Sequence, residues 1–286
     1  MERVLMYYFF ASESGVPLSA ETIFTIGNYP VTNSMIMGVL TAIITMLIFL
    51  AMAMAIKIKP TSKFAFFIES LTMFILDNIK KNFEGDEAKA RKFLPLFLAL
   101  FTFILINNLG GLLPGMGGSV YVESEGIKAA LLRPFTTDLN GTLALAFISI
   151  ITVQYFAIKE RGFFGHIKHY FSIMQPWWNP MNFFIGAIEM LGELIRLLTL
   201  ALRLFGVIYA GEVLLHVITN LSGNFSSVAT LPIIFLEIFF SLIQAYLFIM
   251  LSSVYLAMGT SHDENHDDHE ADSYNKRVAK SASAEA

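Results

Sequence analysis

Five long apolar runs limit what this chain can fold into. A helix needs about 20 apolar residues to cross a hydrocarbon core roughly 30 Å thick, and each run reaches about that length. Only 15% of the 286 residues are charged, whereas soluble proteins average about 25%. The sequence therefore predicts an all-α polytopic membrane protein, with spans near residues 35–56, 94–113, 140–158, 183–221 and 228–258.

The lysines and arginines between the runs predict how the chain is oriented. Residues 57–92 hold eight of them, whereas residues 114–139 hold only Lys128 and Arg133. Cytoplasmic loops of membrane proteins carry the excess of positive charge. The sequence therefore predicts an external N-terminal segment (residues 1–34), a membrane domain (residues 35–258) and a cytoplasmic, acidic, disordered tail (residues 259–286).

Composition and motifs exclude several kinds of chemistry. The chain has no Cys, which excludes disulfides and thiolate sites. It contains no phosphate-binding loop of the Gly-x4-Gly-Lys-Ser/Thr type. The His- and Asp-rich residues 262–270 invite a metal interpretation, but a solvated tail is favoured because the run lacks apolar residues to fix a geometry. We therefore expect no catalytic site, cofactor or metal on this chain, and no nucleic-acid partner.

Two polar segments border the apolar runs. Residues 64–81 place apolar side chains at helical spacing among Glu69, Asp77 and Lys80, which predicts an amphipathic helix on the cytoplasmic face of the membrane. A small separate cytoplasmic domain is the alternative. Asn107 and Asn108 begin the Gly- and Pro-rich end of the second span, and we interpret them as bonding to the local backbone.

The fourth run, residues 183–221, is unusually long. As one helix it would measure about 58 Å, roughly twice the hydrocarbon thickness, so it must tilt by about 60° or break. A strongly tilted helix presents a long flank to a cylindrical partner. The alternative is two short helices with a kink near Gly206.

Charged residues inside this run point to ion transport. A cation at bilayer depth costs between ~3 and ~15 kcal/mol, which makes Arg203 a candidate functional residue by default. Glu189, Glu193 and Arg196 share one helix face, and Arg203 continues that stripe. An arginine holds its proton, attracts carboxylates and repels cations. We therefore expect Arg203 to stabilise the charged form of a carboxylate on a partner.

The fourth and fifth runs predict an antiparallel helical hairpin that turns near residue 224. Counting from the turn puts Glu212 and Glu237 at matching depth, near the external end. Arg203 and Gln244 match at a level that lies about 13 Å deeper. The outer level can exchange protons and the arginine level cannot, so the hairpin is predicted to keep two proton paths apart.

The residues predicted to carry proton translocation are Arg203, Glu212, Glu237, Gln244, His216, Glu189 and Glu193. Several have simpler interpretations, which the sequence leaves open. In one alternative, Arg203 pairs with a glutamate of this chain. In others, Glu212 and Glu237 share a proton only for packing, or Gln244 only makes an interhelical hydrogen bond. His216 is a bystander, or Arg196 extends to the cytoplasmic surface.

Three segments resemble subunit a of F-type ATP synthases. Residues 202–212 (LRLFGVIYAGE) are similar to the signature Arg-Leu-Phe-Gly-Asn-Met-x-Ala-Gly-Glu of that family. Residues 107–115 (NNLGGLLPG) resemble its Asn-Leu-x-Gly-Leu-x-Pro segment, and residues 242–256 resemble its final helix. In this order the segments cover the chain from residue 35 to residue 258.

The resemblance implies a proton-conducting stator subunit beside a rotating ring of c subunits, with two offset half-channels and ATP chemistry on other subunits. It implies the c-ring, the peripheral-stalk b subunits, other ATP synthase subunits and membrane lipids as partners. A bacterial plasma membrane is implied, with a mitochondrial inner membrane as the alternative. By position, Arg203 resembles the essential arginine, Glu212 the half-channel carboxylate and Gln244 the glutamine beside the arginine. Glu189 resembles an acidic residue on the cytoplasmic side, and Glu237 falls where many members have histidine.

Two positions depart from the family pattern. Val207 stands where asparagine is usual, and Leu197 stands where proline is common. Val207 removes a polar group from the outer path, for which His216 is a candidate replacement. Two other functions stay open: a stand-alone ion channel or secondary transporter, and a purely structural membrane anchor. Many transporters show an internal repeat, and the halves of this sequence show none.

Overall fold

The computed structural model describes residues 20–55, 63–112, 121–124, 127–130, 133–161 and 180–260. This part of the chain forms six α-helices: α1 (Asn33–Ala55), α2 (Lys63–Asn82), α3 (Glu87–Gly111), α4 (Leu139–Arg161), α5 (Pro180–Leu221) and α6 (Ser226–Thr260). A 3-10 turn, Phe135–Thr137, precedes α4, and another, Gly223–Phe225, joins α5 to α6.

Five of these helices, α1, α3, α4, α5 and α6, are long and apolar enough to cross a membrane. This confirms the predicted all-α polytopic class. Helix α3 begins at Glu87 rather than near residue 94, because its polar first turn is capped. The Asp86 side chain accepts hydrogen bonds from the backbone N–H groups of Ala88 and Lys89, which satisfies two donors that a helix start leaves without intrahelical partners.

Helix α5 runs through Gly206 without a break, so the alternative of two short helices is wrong. Its 42 residues measure about 63 Å at 1.5 Å per residue. A hydrocarbon layer is only about 30 Å thick. Such a helix is strongly inclined in the membrane or reaches well beyond it, and in either case it exposes a long flank.

Helix α2 joins the common core, so the alternative of a separate small domain is wrong. It packs against α3 and α6, and it buries Ile75, Leu76 and Ile79. Its opposite side exposes Phe66, which is 65% accessible. The amphipathic pattern of the sequence thus corresponds to one face on the protein and one apolar face directed outward.

The sequence predicts no strand, but the structure contains two short antiparallel hairpins. These pair Thr22–Ile26 with Tyr29–Thr32 and Tyr121–Ser124 with Ile127–Ala130. Strands of four or five residues leave too short an alternating pattern to recognise. The first hairpin turns at Gly27, whose φ of 64° favours glycine.

The core lies where α3 and α6 meet their neighbours. Its largest fully buried side chains include Phe93, Phe97 and Ile104 of α3 and Phe248 and Ile249 of α6. Together these side chains fill the space between α3 and α6. The α5–α6 hairpin is therefore supported by α3 on one side, and α4 also packs against both of its helices.

The asparagines at the end of α3 bond across the structure, so the interpretation that they satisfy local backbone is wrong. Asn107 Nδ2 donates to Thr41 Oγ1 at 3.2 Å, and Asn107 Oδ1 accepts from the Thr136 backbone N–H at 3.3 Å. Asn108 Oδ1 accepts from Thr136 Oγ1 at 2.6 Å. Both asparagines are buried. They tie α1, α3 and the 3-10 turn before α4 into one unit.

We expect Asn107→Leu to lower the free energy of unfolding by about 2 kcal/mol, because it leaves buried groups of Thr41 and Thr136 without their partner. Denaturation of the purified chain in detergent measures this. The control is Asn78→Leu, since the bonds of Asn78 to described residues stay within its own helix, to Phe74 and Lys81. Equal losses in the two variants would contradict the cross-linking role.

Candidate functional site

Helices α5 and α6 approach each other closely at Gly211. A methyl group added at Gly211 would lie only 3.0 Å from Glu237 Oε1 and 3.2 Å from its carboxyl carbon. The absence of a side chain therefore lets the Glu237 carboxyl group lie against the backbone of α5. Glu212 follows Gly211 directly on α5. The structure thus brings these two predicted residues to one level.

Glu212 is paired with an arginine from outside the hairpin. Arg133 Nη2 lies 3.3 Å from Glu212 Oε2, and the two side chains are 4% and 27% exposed. Arg133 Nε also donates to Thr137 Oγ1 at 3.1 Å, and its guanidinium carbon lies 5.9 Å from the centre of the Tyr209 ring. The 3-10 turn and α5 therefore hold this cation between them. His216 follows Glu212 by four residues, so the two side chains lie on the same face of α5.

The sequence did not predict a functional role for Arg133, which counted only as one of two positive charges in a loop. Arg133 directly precedes Pro134 and the turn that follows. In this turn Thr137 Oγ1, which accepts from Arg133, itself donates to the Pro134 carbonyl at 2.9 Å. The sequence does show an arginine six positions before the start of the apolar helix α4. It does not show the partner, which lies 79 residues away.

Arg203 lies on the exposed side of α5. Nine residues separate it from Glu212, and at about 100° per residue the two side chains point to opposite sides of the helix. Within the described ranges, Arg203 makes no ion pair and no hydrogen bond. Its neighbours Leu198 and Leu202 are 41% and 51% exposed. The alternative in which Arg203 pairs with a glutamate of this chain is therefore not seen among the described residues.

The stripe nearer the start of α5 contains a second internal ion pair. Arg196 Nη1 lies 2.7 Å from Glu193 Oε1, and the guanidinium carbon stacks over the Tyr255 ring of α6 at 4.5 Å. Arg196 is thus held against the hairpin rather than extended to a surface. Glu189 belongs to the same helix, but its side chain lies outside the described residues.

Gln244 and His216 are the remaining predicted residues. Gln244 is 3% exposed, and its Nε2 has no hydrogen-bond partner in the part of the chain that the structure describes. The same holds for His216 Nε2. The interhelical hydrogen bond considered for Gln244 is therefore not formed by its amide nitrogen with any described residue.

The possible metal site at residues 262–270 lies outside the described residues. Among those that are described, the structure assembles no group of three His, Asp or Glu side chains that could hold a metal ion.

Comparison with known proteins identifies the family. Residues 34–257 match the family described as ATP synthase A chain. The chain belongs to this family. The matched range contains the whole α5–α6 hairpin up to Ala257, as well as Arg133 and the asparagines of α3. The chain is therefore a multi-pass membrane member of the ATP synthase A chain family.

Individual relatives agree with this assignment. The ATP synthase subunit a of Enterococcus hirae is 33% identical over 231 residues, which cover 77% of this chain and 88% of the relative. That of Desulfotalea psychrophila is 36% identical over 60% of this chain and 62% of its own length. That of Myxococcus xanthus is 29% identical over 74% of this chain and 66% of its own length. The chain thus spans somewhat less than two thirds of the last two relatives.

We expect Arg133→Gln to destabilise the chain by roughly 3 kcal/mol, because it leaves the Glu212 carboxylate partly buried without its counter-charge. Thermal or urea denaturation in detergent measures the loss. The matched variants are Glu212→Gln and the double variant, which complete a mutant cycle. The double variant should lose clearly less than the sum of the singles. Strict additivity would show that the two groups do not interact.

Proposed function

We propose that this chain is the proton-conducting stator subunit a of an F-type ATP synthase. In this role it forms two offset half-channels against the rotating c-ring and couples proton flow to rotation. The chain carries no catalytic site in this proposal, and ATP is made on other subunits. The single observation that carries the proposal is the position of Arg203, on the exposed apolar flank of a very long helix.

Arg203 needs a counter-charge that the described chain does not supply. An arginine at bilayer depth costs between ~3 and ~15 kcal/mol unless it is paired or hydrated. Arg203 belongs to the span Met190–Leu221, where its exposed neighbours Leu198 and Leu202 are apolar. A carboxylate presented by a partner protein would meet this need. The c-ring is the proposed partner, because a rotor can bring such carboxylates past a fixed arginine one at a time.

The outer half-channel is proposed to run through Glu212, Glu237 and His216. Arg133 neutralises Glu212, and Glu237 lies beside it with its Oε2 free of any partner among the described residues. A paired carboxylate next to an unpaired one can hold and pass a proton without leaving two negative charges in an apolar site. Gln244 follows deeper on the same face of α6.

The inner half-channel is proposed to begin near Glu189 and Glu193. These residues precede Arg203 on α5, toward the end that the charge rule places in the cytoplasm. The fixed positive charge of Arg203 repels a proton that would pass directly between the two paths. A proton therefore crosses only on the carboxylate of the partner, which links transport to rotation.

Membership in the family supports a place in an ATP synthase complex. We propose that the chain also contacts the peripheral-stalk b subunits, other ATP synthase subunits and membrane lipids. The relatives named above come from bacteria, which supports a bacterial plasma membrane, with the N-terminus outside and the C-terminus in the cytoplasm.

We expect Arg203→Ala to abolish ATP-driven proton pumping by the purified complex in liposomes. The variant loses the fixed positive charge that makes the rotor carboxyl group release its proton. The complex should still assemble, since Arg203 makes no ion pair within the described chain. Arg91→Ala is the matched control. It removes an arginine from an exposed pair with Glu87, which contributes about 0 to 1 kcal/mol. Normal pumping by the Arg203 variant would falsify the proposal.

The alternative is a stand-alone channel or transporter, and it makes a separate prediction. Purified chain reconstituted alone should carry no ion flux under the stator proposal, because Arg203 then faces lipid without its partner. Flux is recorded with a pH-sensitive dye under an imposed gradient. Substrate-specific or proton flux at a rate comparable to that of the complex would favour the alternative.

A further inference from the structure

A stripe of buried polar groups follows one face of α6. Glu237, Ser241 and Gln244 are 7%, 1% and 3% exposed. Their offsets of four and seven residues put them on the same side of the helix. Each has an atom with no hydrogen-bond partner among the described residues: Glu237 Oε2, Ser241 Oγ and Gln244 Nε2. The three residues therefore place a buried polar group at three successive levels of one face of α6.

Ser241, like Thr45 of α1, lacks the local hydrogen bond that several other hydroxyl side chains in these helices make. Thr41, Thr199 and Thr260 each donate to the carbonyl four residues earlier, at 2.7 to 2.8 Å. This local bond is the usual way in which a serine or threonine satisfies its hydroxyl inside an apolar helix. Ser241 Oγ does not make this bond, and it has no other hydrogen-bond partner among the described residues.

Helix α5 offers no polar group at the level of Ser241. The contact between Gly211 and Glu237 fixes the register of the two antiparallel helices. One turn deeper, the same register sets Val207 level with Ser241, and Leu204 comes level with Gln244 at the next step. Leu204 is fully buried and Val207 is half-buried. The polar stripe of α6 therefore faces an apolar surface on α5.

Buried polar groups in proteins almost always have a partner, and where protein supplies none, an ordered water commonly does. From this arrangement we propose that Ser241 binds a water molecule between α5 and α6, and that this water connects Glu237 with the level of Gln244 and Arg203. This inference rests on the proposed function. In this proposal Ser241 of α6 provides the polar contact to water that the apolar Val207 of α5 does not provide at the same level.

The proton balance of this step is simple. The Glu237 carboxyl group gives its proton to the water held by Ser241, and that water releases one of its own protons to the next acceptor, near Gln244. Under the proposed function, the final acceptor is the carboxylate of the partner beside Arg203. The water and the Ser241 hydroxyl are chemically unchanged at the end of the step. Glu237 is then protonated again from the external side.

The test uses the assembled complex in liposomes, with passive and ATP-driven proton flux as the readouts. Ser241→Ala should slow both by about fivefold, the effect expected from losing one hydrogen bond that holds the reacting water. Ser241→Thr keeps the hydroxyl and should stay near the rate of the unmodified complex. Ser252→Ala is the matched control, because Ser252 is equally buried on α6 and is paired with Ser149 at 2.9 Å.

Two further readouts separate a water-binding role from a structural one. Ser241→Ala removes a hydroxyl that has no protein partner, so the melting temperature of the complex should not fall. Adding Val207→Asn to Ser241→Ala restores a polar group at the same level on the facing helix, and flux should recover. A lower melting temperature without recovery would overturn the inference, as would unchanged flux in Ser241→Ala.

Failure of this inference is distinguishable from failure of the proposed function. Arg203→Ala tests the latter. If that variant loses pumping while Ser241→Ala keeps the full rate, the stator role stands and the water site does not exist. If Arg203→Ala pumps normally, both are wrong.

Discussion

A charged side chain inside an apolar helix must be paired, hydrated or neutralised, and the layout of α5 follows from this constraint. The helix meets it in different ways along its length. Glu212 is paired with Arg133 from another part of the chain, and Arg196 is paired with Glu193 one turn away. Arg203 is paired with nothing in the described chain. The described residues of the chain thus supply a counter-charge at two levels of α5 and none at the third, where the proposed partner would supply it.

The pair at Glu212 depends on a polar frame at one end of the bundle. Thr136 links Asn107 and Asn108 of α3 to the turn before α4, and the next residue of that turn, Thr137, accepts from Arg133. A buried cation needs both a counter-charge and a rigid setting, because desolvation is costly when geometry is poor. Here the frame fixes the cation, and the cation fixes the carboxylate. Stability and the proposed proton path therefore share the same residues.

The features predicted correctly from the sequence are those that depend on local pattern or simple counting. Length and hydropathy predict the five spanning helices, because each must cover the same thickness of hydrocarbon. Counting back from the turn near residue 224 placed Glu212 and Glu237 at one level, which the contact between Gly211 and Glu237 agrees with. Both arguments need only the regular rise of a helix.

The features that the sequence did not predict depend on contacts between distant segments. The Arg133–Glu212 pair joins residues 79 positions apart, and a charge count treats Arg133 as an ordinary loop cation. Asn107 bonds to Thr41, 66 positions away, although a local bond was the simpler expectation. Nothing in the spacing of residues along one helix identifies which side chains on other helices will face it.

Arg203 and Glu212 are separated both by their distance along α5 and by their positions around its axis. The two residues are about 13 Å apart along the axis and point to opposite sides of the helix. A proton that leaves Glu212 cannot reach the exposed flank by moving along α5, because the helix body and Leu204, which is fully buried, lie between. It must first cross to a neighbouring surface. Helix α6 presents buried polar groups at these levels, from Glu237 through Ser241 to Gln244. In the proposed function, the outer path would therefore follow the face of α6 that meets α5, and Arg203 would meet the proposed partner on the side of α5 that lies opposite Glu212.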